Sequence, residues 1–217
     1  MPNRSQKLVI VGAGGHAKVV VELFRSQEHP YEIVGLTDLD PQAKGVAGLP
    51  VLGADDVLDG LRAEGVEFAF PALGANALRG RTAIALRALG FELPNALSRF
   101  SWISPSATLG DGVAVMAGAV VNAEASLGDL VIVNSGAVVE HDCRLGEGVH
   151  LGPGSAIAGG VSIGARTLLG VGASVIPGLT IGADVVVAAG ACVTCDLPDA
   201  VMAAGVPARI IHRLDGR

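Results

Sequence analysis

The chain has few aromatic residues, few charges and few cysteines. Of its 217 residues, only 3% are aromatic and 17% are charged, while 50% are hydrophobic. An apolar interior must therefore be built mainly from aliphatic side chains. The 31 glycines show no Gly-X-Y period, which excludes a collagen helix, and the aliphatic content argues against a disordered chain. The composition favours a β architecture with many turns.

The charge balance and the lack of long hydrophobic runs limit the partners. A formal net charge of −6 gives no electrostatic reason to bind a nucleic-acid backbone or an anionic membrane. No apolar run reaches the roughly 18 residues of a membrane-spanning helix. The start, MPNRSQKLVIVGAGG, leads directly into a motif instead of a signal-peptide cleavage site. We therefore expect a cytoplasmic protein.

The cysteines offer neither a disulfide framework nor a metal site. Cys143, Cys192 and Cys195 are an odd set, and a structural zinc site would need a second pair beside the C-x-x-C of Cys192 and Cys195. A redox C-x-x-C should open a helix, whereas this one lies in a β repeat. We expect no metal.

The strongest pattern in the sequence is a period of six residues. Every sixth residue from Ile103 to Val193 is aliphatic, and the residue four places later is small or aliphatic, from Ala107 to Leu197. Two inward positions per six residues predict short strands that stack into a prism with a solid core. Glycine often follows the aliphatic residue, where we expect a turn to use its permissive backbone. These glycines are Gly110, Gly128, Gly146, Gly152, Gly164, Gly170 and Gly182.

The N-terminal segment has a different organisation. Apolar runs alternate with helical patterns, which predicts a βαβα unit resembling half of a Rossmann domain. We expect this α/β domain over residues 1–98 and the β-helix with its C-terminal tail over 99–217. The apolar runs are Leu8–Val11, Ile33–Leu36 and Phe68–Leu73, and the helical patterns are 16–26, 54–64 and 76–89.

A glycine-rich turn ends the first predicted strand. Residues 12–17 read GAGGHA, a G-x-G-x-x-A fingerprint opening a helix, and Asp38 follows the next strand at about the spacing of a ribose-binding acid. The segment is too short for a two-lobed dinucleotide domain, so a mononucleotide or a nucleotide-linked ligand fits better. The alternative is that the glycines only permit a tight strand-to-helix turn.

The six-residue repeat resembles that of the hexapeptide-repeat acyltransferases. The resemblance implies a left-handed parallel β-helix with three strands per coil, and therefore about five coils. It also implies a homotrimer that binds acyl-CoA between neighbouring subunits. The closing AGVPARII, residues 204–211, resembles the C-terminal segment of that family.

GAGGHAKVV joined to such a helix resembles one branch of the family, the acetyltransferases of nucleotide-linked amino sugars in bacterial glycan synthesis, such as that of lipopolysaccharide O-antigen. Sialic acid O-acetyltransferase-like proteins belong to this branch. The resemblance implies acetyl transfer from acetyl-CoA to the 4-amino group of a nucleotide-linked 4-amino-6-deoxy sugar, with GDP-perosamine as the expected acceptor. The resemblance implies that substrate is bound by the glycine turn, by the acid after the second strand and by the segment ALGAN, residues 72–76, with the residues just beyond its glycine. These residues are Gly14, Gly15, His16, Asp38, Gly74, Asn76 and Arg79.

The segment SGAVVEHDCRLGEGVHLGPG resembles the catalytic segment of this branch. The repeat directs His141 outward and Cys143 inward, so we do not expect Cys143 to be a nucleophile. The resemblance implies that His141 is the general base, that Asp142 orients it, and that His150 contacts acetyl-CoA. It also implies backbone contacts to acetyl-CoA near Val171 and Ala189. Imidazole suits proton removal from a sugar ammonium because it titrates near neutral pH.

Three other functions stay open from the sequence. The first is O-acetylation of a sugar hydroxyl, as in the sialic acid branch, which product analysis would distinguish. The second is a γ-type carbonic anhydrase, although the repeat holds two histidines and zinc there needs three. The third is a non-catalytic protein that binds nucleotide-sugar, which would bind that ligand without measurable affinity for acetyl-CoA.

Overall fold

The structure is a computed structural model of the chain and describes residues 6–28, 31–40 and 42–214. It divides into two compact units, Met1–Ala96 and Leu97–Arg217. The prediction that the start carries no signal peptide depends partly on residues 1–5, which lie outside the described residues. Within the described ranges, no helix has the length and apolar character that crossing a membrane requires.

The first unit is an α/β layer structure. Its elements are β1 Lys7–Val11, α1 Gly15–Ser26, β2 Glu32–Thr37, β3 Val51–Gly53, a 3₁₀ turn Asp55–Val57, α2 Leu58–Ala63, β4 Phe68–Pro71 and α3 Asn76–Ala88. The four strands form a parallel sheet of order β3-β2-β1-β4. The predicted βαβα unit is confirmed, but the three-residue strand β3 was missed because it is short and only partly buried.

The strand order places a crevice at one end of this sheet. Strands β2 and β4 lie on opposite sides of β1, so the direction of winding reverses at β1. In open parallel sheets, ligands bind outside the carboxyl ends of the strands at such a reversal. The carboxyl end of β1 carries Gly12 and that of β2 carries Asp38, so the glycine turn and the predicted acid meet at this crevice.

The second unit is a left-handed parallel β-helix of two-residue strands. Each strand as far as Ser174–Val175 pairs with the strand 18 residues later, as Leu127 pairs with Leu145 and Leu145 with Ile163. Three hexapeptides therefore form one coil, as the resemblance implied. The strands fall on three faces, here numbered in chain order.

The first face contains Ala96–Leu97, Ala114–Val115, Ile132–Val133, His150–Leu151, Leu168–Leu169 and Val186–Val187. The second face contains Trp102–Ile103, Val120–Val121, Val138–Val139, Ala156–Ile157, Ser174–Val175 and Cys192–Val193. The third face contains Thr108–Leu109, Ser126–Leu127, Arg144–Leu145, Ser162–Ile163 and Thr180–Ile181.

The closing segment is a hairpin that extends the first face. Strand Val201–Gly205 pairs in parallel with Val186–Val187, and Ala208–Arg213 returns antiparallel to it. The sequence pattern indicated only a tail here, because this short apolar stretch no longer follows the six-residue period.

The inward positions of the repeat form the core. Every sixth residue from Val115 to Val193 is buried, and Ile103 and Leu109 in the first coil are partly buried. The second inward position holds small residues such as Ala137 and Cys143, which leave room for the larger aliphatic side chains. The predicted aliphatic interior is confirmed.

The structure corrects the reason given for the glycines that follow the aliphatic residues. None of these seven glycines has a left-handed φ; instead, a Cβ on any of them would lie 2.9 Å or less from an atom of the next coil. The left-handed φ falls on the second residue of each corner from Gly112 to Gly190, for example +65° at Gly136 and +62° at Asp142. Close stacking of coils, not backbone freedom, therefore requires glycine at these seven positions.

Two polar residues lie inside the β-helix, and they differ in their hydrogen bonds. The Thr167 hydroxyl donates to the Gly182 carbonyl oxygen at 2.7 Å and accepts from the Val185 N–H at 3.0 Å. Ser155 is fully buried, and its hydroxyl has no hydrogen-bond partner among the residues that the structure describes. An unpaired buried hydroxyl costs stability, whereas a paired one need not.

We expect opposite effects on stability when these hydroxyls are removed. Ser155→Ala should leave the free energy of unfolding unchanged or raise it by up to about 1 kcal/mol, because a desolvated, unpaired hydroxyl is lost. Thr167→Val should lower it by about 1–3 kcal/mol, because two buried backbone groups lose their partner. Urea unfolding of both variants and the wild type measures the difference. A Ser155→Ala variant as destabilised as Thr167→Val would contradict the prediction.

Candidate active site

His141 and Asp142 lie on the edge between the second and third faces of the β-helix. They follow Val138–Val139 and precede Arg144–Leu145, and Asp142 occupies the left-handed position of that corner. The Nδ1 atom of His141 is 2.7 Å from Oδ2 of Asp142, and the two side chains are 63% and 64% exposed. The corner thus presents an imidazole–carboxylate pair to solvent.

The carboxylate determines the state of the imidazole. Because Oδ2 of Asp142 can only accept, Nδ1 of a neutral His141 carries the proton and Nε2 keeps its lone pair. The hydrogen bond to Asp142 raises the pKa of His141 above its ordinary value of 6.5, with further contributions from the charges of Asp142 and Glu140. Glu140 itself accepts a hydrogen bond from Asn122 Nδ2 at 2.9 Å. Such a histidine can take a proton through Nε2.

Cys143 does not share the exposed position of its neighbours. Its side chain is buried, and its Sγ donates to the Ala158 carbonyl oxygen at 3.2 Å. Burial raises the pKa of the Cys143 thiol, which disfavours the nucleophilic thiolate. The geometry agrees with a reaction that needs no acyl-cysteine.

The residues expected to contact acetyl-CoA lie on other parts of the prism. His150 belongs to the first face, and its Nε2 is 3.2 Å from Asn134 Nδ2. Val171 and Ala189 are exposed at the edge between the first and second faces, in successive coils. The Gly190 N–H donates to the Val171 carbonyl oxygen at 2.8 Å. The second face separates this edge from the one that carries His141.

The glycine turn of the first unit connects β1 to α1. Gly12 has a left-handed φ of +102°, and a Cβ there would lie 3.0 Å from Leu73 Cδ2 and 3.2 Å from the Ala72 carbonyl oxygen. Gly14 precedes the helix and Gly15 begins it; both are exposed, and a Cβ added to either would have no atom within 4 Å. His16 is half-buried in the first turn of the helix. Of these three glycines, Gly12 alone is required by the fold, because no neighbouring atom would exclude a side chain at Gly14 or Gly15.

Asp38 closes the other side of this turn. Its Oδ2 accepts a hydrogen bond from the Ala13 N–H at 2.7 Å, and its Oδ1 accepts one from the Asp40 N–H at 2.9 Å. The carboxylate lines a cavity of about 160 Å³ at the crevice of the sheet. The cavity is lined by Val11, Gly12, Asp38, Leu39, Asp55, Leu73, Leu78 and Thr82.

The structure changes the expectation for Arg79. Its side chain is only 1% exposed, and burial lowers the pKa of its guanidinium to about 10. The guanidinium donates to the carbonyl oxygens of Leu73 and Gly74, at 3.0 and 3.2 Å, and to Asn76 Oδ1 at 3.0 Å. Arg79 thus holds the turn that contains Gly74 and Asn76, instead of reaching out to a phosphate.

Several residues at these sites were not found from the sequence. Gly12 was overlooked as a site residue although it is the first glycine of the fingerprint. Asp55 lines the cavity and accepts a hydrogen bond from the Thr37 hydroxyl at 2.9 Å, but no spacing rule connects it to the fingerprint. Asn134 meets His150 only because the coil brings residues 16 apart together.

Among the described residues, no group of three His, Cys, Asp or Glu side chains is placed to hold a metal ion. A parallel β-helix with an exposed histidine–carboxylate pair, joined to an α/β unit with a glycine turn, defines an acetyltransferase of the hexapeptide-repeat class. Comparison with known proteins identifies the family more narrowly.

Residues 7–86 match the family model described as the PglD N-terminal domain. The chain is 52% identical to PerB from Caulobacter crescentus, whose crystal structure contains CoA and GDP-perosamine; the match covers 95% of this chain and 97% of that one, with a TM-score of 0.91. Two further structures of that N-acetyltransferase carry asparagine or alanine in place of its histidine 141.

The chain is also 40% identical to the acetyltransferase domain of PglB from Neisseria gonorrhoeae FA1090, solved with acetyl coenzyme A. That match covers 95% of this chain and 100% of the domain, with a TM-score of 0.90. No sequence among the curated proteins matched. The chain belongs to the family of left-handed β-helix acetyltransferases that includes PerB and this PglB domain.

Proposed function

We propose that the protein is an N-acetyltransferase that moves the acetyl group of acetyl-CoA to the 4-amino group of GDP-perosamine. The observation that carries the proposal is the exposed pair on the β-helix edge, with Nδ1 of His141 held 2.7 Å from Asp142 and Nε2 left to accept a proton. The complex of PerB with CoA and GDP-perosamine, at 52% identity over nearly the whole chain, supports this choice of donor and acceptor.

The proposed reaction is a direct transfer. His141 Nε2 takes a proton from the sugar amine as the amine nitrogen bonds to the thioester carbon. The carbon–sulfur bond then breaks, and the proton held on His141 passes to the departing CoA thiolate. Asp142 holds the ring and stabilises the imidazolium that forms between these steps.

The nucleotide is proposed to bind at the crevice of the first unit. The N-terminus of α1, with Gly14, Gly15 and His16, offers backbone N–H groups and a positive dipole end to a diphosphate. The polar wall of the neighbouring cavity includes the carboxylates of Asp38 and Asp55, which can only accept hydrogen bonds when ionised. Guanine offers more N–H donors on its Watson–Crick edge than uracil does, which supports a GDP-linked substrate.

We expect Asp55→Asn to raise the KM for GDP-perosamine about tenfold with little change in kcat. One charge-assisted hydrogen bond to the base is worth about 1.5–3 kcal/mol, and an amide presents donors where an acceptor is needed. Initial rates at varied GDP-perosamine measure the effect. Asp56→Asn, the adjacent and exposed carboxylate of the same 3₁₀ turn, is the control and should match the wild type. Equal KM values for all three proteins would contradict the proposed base contact.

A homotrimer is proposed to complete the active site. In one chain, His141 and the acetyl-CoA residues Val171 and Ala189 lie on different edges of the prism, with the second face between them. A second copy whose Val171 and Ala189 edge meets the His141 edge of the first would bring donor and base together. Sedimentation equilibrium tests this, and the expected mass is three times that of the chain. A stable, active monomer would contradict it.

The decisive experiment offers acetyl-CoA and a panel of GDP-, UDP- and dTDP-linked amino sugars to the purified protein. Release of free CoA thiol with GDP-perosamine, and a product carrying acetyl on nitrogen, are expected. Acetyl on a hydroxyl group would instead favour a sugar O-acetyltransferase. Binding of nucleotide-sugar without thiol release from any acceptor would favour a non-catalytic binding protein.

The pH dependence of kcat/KM should depend on Asp142. Neutral His141 is the active form, and in the free enzyme its hydrogen bond to Asp142 raises its pKa above the ordinary value of 6.5, so the acid limb of the wild-type kcat/KM profile lies above that value. Asp142→Asn removes the charge that stabilises imidazolium, so the limb should move to lower pH while the plateau falls through lost orientation. Profiles over roughly pH 5–9 measure both effects.

Asp184→Asn is the matched control for this prediction. Asp184 is also an exposed corner carboxylate with a left-handed φ, +56°, but it pairs with Arg166 on another edge. Its replacement should leave the acid limb in place. An unshifted limb in Asp142→Asn would remove Asp142 from its proposed role.

A further inference from the structure

The ring of His141 lies against a glycine of the next coil. A Cβ built on Gly159 would be 2.6 Å from Cε1, 2.7 Å from Nε2 and 3.2 Å from Nδ1 of His141. Carbon atoms in favourable contact are about 3.5–4.0 Å apart. A methyl group at residue 159 would therefore collide with the His141 ring in its present position. The contact is reinforced through the backbone, where the Gly160 N–H donates to the His141 carbonyl oxygen at 2.9 Å.

The corner itself does not require glycine at this position. Gly159 has no left-handed φ; that conformation belongs to Gly160, with φ +71°. The equivalent residues in the coils before His141 and after Gly159 are Ala123 and Pro177, and both carry a Cβ. On the edge that carries His141, the residue without a side chain is thus Gly159, and the His141 ring rests against it.

We propose that Gly159 is a positioning residue for the acetyl transfer, since its missing side chain lets the His141 imidazole rest on the next coil with Nδ1 against Asp142. The inference rests on the proposed function, in which Nε2 of that ring takes the proton from the amine. Any Cβ at residue 159 turns the ring away from the coil and away from the carboxylate.

Gly159→Ala should lower kcat about 10- to 100-fold, as expected when a catalytic group is displaced by about 1 Å. The KM values for acetyl-CoA and GDP-perosamine should change little. The acid limb of the kcat/KM profile should also move to lower pH, because a displaced ring loses the hydrogen bond to Asp142 that raises the pKa of His141 in the free enzyme. Pro177→Ala, on the same edge one coil further, is the control and should keep the wild-type rate and profile.

A measurement without substrate separates this inference from the proposed function. The His141 Cε1 proton is followed by NMR as a function of pH, with assignment by comparison with His141→Asn. The titration midpoint should be lower in Gly159→Ala than in the wild type, whichever sugar the enzyme uses. A folded Gly159→Ala variant with an unchanged midpoint and an unchanged kcat would overturn the proposal.

A double variant decides the case in which Gly159→Ala folds poorly. If the added Cβ collides only with the ring, then His141→Ala/Gly159→Ala should melt at the same temperature as His141→Ala. Equal melting temperatures support the inference. A double variant that remains as unstable as Gly159→Ala would show that the Cβ disturbs the coil itself, and this outcome would overturn it.

Discussion

Replacing His141 with asparagine is expected to lower kcat by about 10²- to 10⁴-fold, the usual contribution of a general base. Asparagine keeps much of the shape of the side chain but has no group that can take a proton near neutral pH. Because the imidazole is exposed and belongs to no packed core, the fold should be unaffected. Thiol release from acetyl-CoA in the presence of GDP-perosamine measures the rate.

Calorimetric titration shows whether the loss is catalytic. The dissociation constants of CoA and GDP-perosamine should stay close to those of the wild type, because proton transfer matters in the transition state and not in binding. His212→Asn, an exposed histidine of the C-terminal hairpin, is the control and should retain full activity. A His141→Asn enzyme within a few-fold of wild-type kcat would exclude His141 as the base.

Gly146→Ala is expected to destabilise the β-helix by about 3 kcal/mol or more, at the upper end of the cost of overpacking. The added Cβ would lie 2.7 Å from the Ala165 nitrogen, 3.0 Å from the Ala165 Cα and 3.1 Å from the Gly164 carbonyl carbon. These are backbone atoms, so no side chain can turn aside. Withdrawing the next coil would break the hydrogen bond from the Gly146 N–H to the Ile163 carbonyl oxygen, at 2.8 Å.

Gly80→Ala provides the matched comparison. Gly80 lies inside helix α3, with no atom within 4 Å of an added Cβ, so alanine there should stabilise by about 0.5–1 kcal/mol through helix propensity. Urea unfolding of both variants gives the two free energies. If Gly146→Ala unfolds at the wild-type urea concentration, then coil spacing does not explain the glycines after the aliphatic positions.

The catalytic pair was accessible to sequence reasoning because the six-residue period fixes the direction of each side chain. Once Val139 and Cys143 point inward, His141 must point outward, and the two inward residues are indeed buried. The direction of Arg79 was not accessible in this way. Its guanidinium turns inward because three acceptors of its own turn lie within reach, and a helical pattern does not reveal such carbonyl groups.

Contacts across neighbouring coils were the other part that sequence reasoning missed. Gly159 stands next to Gly160, so the pair reads as an ordinary flexible corner. Its contact with His141 is recognised only when Ala123, His141, Gly159 and Pro177 are aligned as one column with a spacing of 18 residues. Asp55 was missed for a related reason, since it reaches the crevice through the missed strand β3 and the 3₁₀ turn that follows it.

The sequence by itself determined the β-helix. A solid aliphatic core allows only aliphatic or small residues at every inward position, and this restriction appears in the sequence as a period of six residues. It also determined the βαβα unit and its glycine turn. Only the tertiary structure decided which glycines are needed for close stacking, where Arg79 points, and what supports the His141 ring. These depend on distances of a few tenths of an ångström between residues far apart in sequence, and no local pattern encodes such distances.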